Sequence, residues 1–124
     1  TSKKFSGVYN ADGSFAGVGF TKENNRISIE WTVGAIYAAH ELEEFYRDTH
    51  PEWSQEAAED ALSMRKSMEP YRIKVGENQA AYASSRREWI PFGWFSHNER
   101  VMSMVSTCWI LLYDFGFNPF YLPK

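Results

Sequence analysis

Apolar positions change their spacing several times along the chain, and the changes divide it. Residues 1–28 hold no helical period. Short apolar runs over 5–9 and 15–20 flank Asp12-Gly13, a pair suited to a tight turn because both residues tolerate positive φ. Gly17, Gly19, Asn24 and Asn25 break up the remainder. Loop and short strand are predicted here, and no helix.

From Ser28 or Glu30 to about Asp48 the period is helical. Trp31, Ala35, Ala38, Leu42 and Phe45 share one face, and Val33, Ile36 and Tyr37 make the first half apolar on the other side as well. Glu41, Glu43, Glu44, Arg47 and Asp48 make the second half amphipathic. A helix apolar all round is usually buried, so the first half is expected to sit deep and the second to reach a surface. The link Thr49-His50-Pro51-Glu52 has the spacing of a capping box, with Pro in the first turn. The following helix carries one narrow stripe, Ala57, Ala61, Met64 and Met68, among charged residues, and Pro70 stops it. It reads as an outer, solvent-facing helix.

Over 71–85 the period falls to two: Tyr71, Ile73 and Val75 alternate with Arg72 and Lys74, and Gly76-Glu77-Asn78 turns the chain back. Residues 86–95 form a loop crowded with aromatics and charge. Ser96-His97-Asn98-Glu99 predicts a second capping box, opening a helix to about Phe115. Val101, Val105, Cys108, Leu112 and Phe115 share a face there, yet Met104, Trp109, Ile110 and Leu111 leave no polar side. At about fifteen residues it falls short of the about twenty a bilayer span needs, so a buried core helix is expected. Cys108 then reads as a small buried hydrophobe. Gly116 and Asn118-Pro119 end the helix.

The order is thus buried helix, exposed helix, buried helix. The connection between the first two is short, and those leading into the first and third are long, irregular and aromatic. If helices alternate between inner and outer positions, the inner ones start at one end, and the long loops gather on one rim. Loops on such a rim commonly carry function.

Several segments resemble the closing hairpins of six-hairpin glycosidase-like proteins: Arg26-Ile27-Ser28-Ile29-Glu30-Trp31-Thr32, the 89–95 loop, and Ser106-Thr107-Cys108-Trp109 running into Phe115-Gly116-Phe117-Asn118-Pro119-Phe120. The resemblance covers most of the chain from Gly17 onward. It implies a mainly α fold of antiparallel helical hairpins, of the (α/α) toroid type with a small β-hairpin insertion, here an incomplete portion of the toroid. The chain is then a single domain over 1–124 or the C-terminal segment of a larger toroid. Its parts are 1–28 (loop and short strands), 29–70 (helical hairpin), 71–98 (β-hairpin and aromatic loop), 99–115 (buried helix) and 116–124 (tail). Proteins of this kind act on or bind polysaccharides, so the resemblance implies an oligosaccharide or polysaccharide ligand.

Composition sharpens this picture in three ways. Five Trp, seven Tyr and nine Phe make the chain 17% aromatic, which suits stacking on the apolar faces of sugar rings. A net charge of −3 argues against a nucleic-acid partner, which requires a basic stripe. One cysteine excludes an intrachain disulfide. The chain opens on Thr-Ser-Lys-Lys with neither an initiator Met nor an apolar leader; that start predicts a processed or partial chain and leaves the compartment open.

Candidate chemistry centres on the rim. Trp89, Trp94 and Tyr82 offer stacking platforms, and Arg87, with Arg86 and Glu88, offers bonds to hydroxyls; the alternative is that the two Trp plug a core beneath the loop. Glu30 is the best carboxylate, with Trp31 beside it and Arg26 one turn upstream. Desolvation would fit it as a general acid; a macrodipole and Arg pairing would instead make it a structural carboxylate. A glycosidase needs a second carboxylate, for which Asp12 and Glu23 are arbitrary choices. In a polysaccharide lyase, Tyr82 or His97 would act as base.

His40 and Glu44 share a helix face, but with no third ligand evident a satisfied core histidine is expected, and no metal or cofactor. Gly17-x-Gly19 lacks the setting of a dinucleotide loop. Asn10-x-Asp12-Gly13 lacks the glutamate that closes a calcium loop, so it reads as a plain turn. The expected function is a carbohydrate-active, glycoside hydrolase-like protein contributing an aromatic-lined rim. The alternative is a non-catalytic interaction or assembly module, which docks through exposed aromatics on the remainder of a parent chain or on itself.

Overall fold

The computed structural model describes residues 2–21, 26–85, 89–90, 94–95 and 102–121, and of residues 2, 89, 90, 94 and 95 the backbone alone. A single-turn helix, α1 (Ser2–Ser6), leads into β1 (Gly7–Tyr9), which pairs antiparallel with β2 (Phe15–Val18). The turn between them is closed by the Asn10 and Gly13 N–H groups, bonded to Ser14 O and Asn10 O, with Gly13 at φ +85°. Two long helices follow, α2 (Ile29–Tyr46) and α3 (Pro51–Ser67). A 3₁₀ turn, Glu69–Tyr71, hands over to the hairpin β3 (Arg72–Gly76) and β4 (Gln79–Tyr82). Next come the short antiparallel pair β5 (Trp89–Ile90) and β6 (Trp94–Phe95), and finally α4 (Met104–Asp114).

The mainly α toroid expected from the sequence does not hold. Among the described residues, four helices share the fold with three two-stranded antiparallel ladders, so the architecture is mixed α and β. The cause lies in β2. All four of its residues are buried, and it packs against both α2 and α3. Strand rather than helix therefore covers that flank of the helix pair.

The core forms where Ile29, Val33 and Ile36 of α2 meet Ala61 and Met64 of α3, with Met68 beyond it and Phe15, Ala16 and Val18 from β2. Tyr71, Tyr82, Ala83 and Ile110 extend it toward α4. The narrow stripe expected on α3 is the buried one. Caps fix the helix ends. Ser28 Oγ accepts from Trp31 N–H, and Ser103 Oγ accepts from Ser106 N–H. After α4, Gly116 takes φ +72° while its N–H bonds Tyr113 O and that of Phe117 bonds Leu112 O, a Schellman closure.

Four local expectations are corrected. A helix does form before β1, where Lys3 pairs with Glu56 at 2.7 Å and with Asp60 on α3. The first predicted capping box is not made: Pro51 occupies the first helical position, so the cap falls on His50, whose side chain makes no capping bond. α4 starts at Met104 under Ser103, and residues 96–101 lie outside the described residues. Nor is α4 buried. Only Ser106 and Ile110 are, while Met104, Val105, Cys108, Leu111 and Phe115 face outward. Of the stripe Val105, Cys108, Leu112 and Phe115, all but the half-buried Leu112 are exposed.

α2 and α4 run side by side in the same direction. Their starts are laced together by residues 82–85: Ile29 N–H bonds Ser84 O at 3.0 Å, and Ser103 N–H bonds Tyr82 O at 2.8 Å. Ser85 Oγ–H adds a bond to Ile27 O, and Thr107 Oγ1 accepts from Tyr82 N–H. Further along, Tyr37 meets Trp109 and Tyr113, and His40 meets Tyr113. The starts of α2 and α4 thus lie at one end, and the short α2–α3 link lies at the other.

Candidate functional site

At the end where α2 and α4 begin, the structure brings together only part of the expected constellation. Trp31 is 46% exposed, and its ring tilts against Phe20 at 5.4 Å. Glu30 sits beside it on the exposed side of the first turn, not in an apolar pocket, and Arg26 is half-buried just upstream. Trp89 and Trp94 lie on the paired strands β5 and β6, whose ladder sets Trp89 opposite Phe95 and Ile90 opposite Trp94. Arg87, with Arg86, Glu88, Glu23 and His97, lies outside the described residues.

Tyr82 is placed differently from the expectation. It is 7% exposed, so its ring offers no face for a sugar. Its hydroxyl donates to Glu69 Oε2 and accepts from Arg65, whose guanidinium also makes two bonds to Asp114, at 2.9 and 3.1 Å. Arg65 therefore joins α3, β4 and the end of α4. Burial opposes its charge, but the hydrogen bonds to Asp114 and Tyr82 outweigh that and hold its pKa above the ordinary guanidinium value. Burial pushes the Tyr82 phenol up, against the pull of Arg65, and it also raises those of Tyr37 and Tyr113. A buried phenol held in its neutral form is poorly suited to act as a base.

Asp12 is a turn residue. Its Oδ1 accepts from the hydroxyl and N–H of Ser14, at 2.6 and 2.9 Å, which lowers its pKa. His40 is satisfied but not in the core. It is exposed, stacks on Tyr113, and hydrogen-bonds Glu43 through Nδ1 and the Tyr113 hydroxyl through Nε2; Glu44 turns instead to Arg47. Among the described residues no cluster of three or more His, Cys, Asp or Glu could hold a metal ion. No helix among them is long and apolar enough to cross a membrane.

A concave surface among the described residues lies elsewhere, along the outer face of α2. A groove of about 890 Å³ has Gly34, Tyr37 and Ala38 on its floor, Leu42 and Phe45 on one wall, and Phe120 and Tyr121 on the other. The tail that makes the second wall is pinned in place. Tyr37 O–H donates to Phe117 O at 2.7 Å, Phe120 stacks on Trp109 at 5.7 Å, and the Asn118 amide donates to Glu41. Phe45 is 73% exposed, Phe120 66% and Tyr121 67%.

Sequence reasoning did not single out this groove as a site. Its signal was the stripe Trp31, Ala38, Leu42 and Phe45, which periodicity alone could not assign to the inside or the outside of a helix apolar on every side. No family model, no curated protein and no solved structure matches this chain.

Proposed function

We propose that this chain is an assembly module that docks through the outer face of α2 onto a helix supplied from outside its own core. The observation that carries this reading is the exposed stripe Trp31, Leu42 and Phe45, continued by Phe120 and Tyr121 across the groove. Contiguous apolar surface of this kind, rimmed by polar residues, is characteristic of interaction sites.

The test is an environment-sensitive apolar dye combined with light scattering. The native chain is expected to enhance the dye and, with no partner helix supplied, to self-associate weakly at high concentration. The Leu42→Glu/Phe45→Glu variant, folded by circular dichroism, is expected to lose both. A native chain that stays monomeric and leaves the dye dark would overturn the reading.

A second reading has an oligosaccharide at the end where α2 and α4 begin. What supports it is the half-exposed Trp31 on Phe20, with Glu30 alongside, together with the resemblance of these segments to glycosidase-like proteins. Trp emission should then shift on titration with oligosaccharides, and Trp31→Ala should remove the shift. Unchanged emission across neutral and uronic oligosaccharides would end this reading.

A further inference from the structure

The groove along α2 has two features that narrow what it takes. The first is Gly34. It stands in the middle of a long helix, where glycine is unfavourable, with no positive φ to explain it. A Cβ added there would meet nothing within 4 Å. Among the described residues nothing calls for a glycine at that position. With Ala38 one turn on, it puts two small residues side by side on the groove's lining, with Trp31 before them along the helix and Leu42 and Phe45 after. Small residues flanked by large ones let a second helix approach closely, its side chains packing between the ridges.

The second feature is charge. Over Ile29–Tyr46 the helix carries Glu30, Glu41, Glu43 and Glu44 and no Lys or Arg. Glu41 and Glu44 border the groove itself. Among the described residues Glu41 is bonded only by the neutral Asn118 amide, while Glu44 is already forked by Arg47 through two bonds at the exposed surface, so Glu41 is the carboxylate left to meet a cation. An apolar floor with carboxylates along its edge is complementary to an amphipathic helix whose apolar stripe is flanked by Lys or Arg.

We infer that the groove seats such a basic-flanked amphipathic helix, crossing α2 over Gly34 and Ala38. The inference rests on the docking reading above and names the partner's chemistry. A second copy of this chain fits less well, since its α2 would bring a further set of glutamates and no cation.

Three fluorescent helical peptides test it, sharing one Leu-rich stripe and differing only in flanks of Lys, Gln or Glu. Binding to the full chain is read by anisotropy. The Lys peptide is expected to bind about tenfold more tightly than the Gln peptide, with the Glu peptide weakest. Glu41→Gln/Glu44→Gln should bring the Lys and Gln peptides level. Gly34→Leu, which keeps a good helix former in the helix, should weaken all three by about tenfold or more with unchanged circular dichroism.

Equal binding of the three peptides would overturn the basic partner and leave the docking reading standing. Binding indifferent to Gly34→Leu would overturn the seat. If no peptide binds and light scattering shows a dimer that Gly34→Leu dissociates, the occupant is a second copy and the inference fails. If no peptide binds and the chain is a monomer that leaves the dye dark, both the inference and the docking reading fail.

Discussion

Gly17 and Thr32 touch where no side chain could intervene. A Cβ on Gly17 would lie 2.6 Å from Thr32 Oγ1 and 2.7 Å from its Cγ2, and Gly17 itself sits at φ +150°. The closeness lets Thr32 act as a clasp. Its Oγ1 accepts from Val18 N–H at 3.1 Å and donates to Val18 O at 3.4 Å, so a buried strand edge is satisfied by a helix side chain. Gly17→Ala should therefore destabilise the chain by about 1–3 kcal/mol, through overpacking and a strained backbone. Urea unfolding measures this; an unchanged midpoint would mean that β2 does not rest on α2 as described.

Gly34 predicts the opposite sign. With open space at its Cβ position, Gly34→Ala should stabilise the isolated chain by about 0.5–1 kcal/mol, by lowering the backbone entropy of the unfolded state. A raised urea midpoint would show that this glycine is not retained for the stability of the chain alone.

Arg65 ties three elements through Asp114 and Tyr82. Its side chain is 23% exposed and that of Asp114 45%, so solvent screens the pair and Arg65→Met should cost about 1 kcal/mol. A more specific consequence concerns Tyr82. Arg65 pulls its phenol pKa down, so the substitution should raise that value further. Ultraviolet titration of phenolate, with Tyr82→Phe as the reference, would reveal it. A Tyr82 titration that did not move would break the link.

Tyr37, Tyr82 and Tyr113 together set an alkaline limit. Burial raises all three above the ordinary phenol value, so the folded state favours their protonated forms. Their contribution is fully present below the unfolded phenol pKa of about 10 and is lost as pH rises through the raised folded values. The urea midpoint should fall above about pH 10, and less steeply in Tyr113→Phe. A midpoint flat to higher pH would contradict the burial of these rings.

What was legible in the sequence follows from how many sides of each helix are polar. α3 has one apolar stripe, and Ala57, Ala61, Met64 and Met68 are indeed the buried set. The turn at Asp12-Gly13 and the stop at Gly116 were equally plain, because both glycines take positive φ; the turn at Gly76-Glu77-Asn78 was plain from the change of period on either side. α2 and α4 were not legible in this way. Both are apolar all round, so periodicity shows a helix but not its orientation: on α2, Val33, Ile36 and Tyr37 turn inward while Leu42 and Phe45 lie outside, and α4, expected to be buried, is largely exposed. Strand β2 was readable as a strand, but its role in covering two helices was not, since that depends on Gly17 meeting Thr32 across the intervening loop, a contact that no local spacing records. Of the rim residues, Tyr82 was misread because an aromatic beside a loop looks the same in sequence whether it stacks a ligand or closes a core.

The lacing of Ile29 and Ser103 through residues 82–85 also sets an order of assembly. The β1–β2 hairpin and the α2–α3 pair are built from partners close in sequence. α4 can find its register only after the chain has come back along the start of α2, so its contacts carry the longest loop closures. With two buried residues of its own, α4 should be the last element to form and the first to open. In native-state hydrogen exchange its amides should be released at lower free energy than those in the first half of α2. The tail that walls the groove hangs from α4, so the groove along α2 should be completed only at the final step of folding.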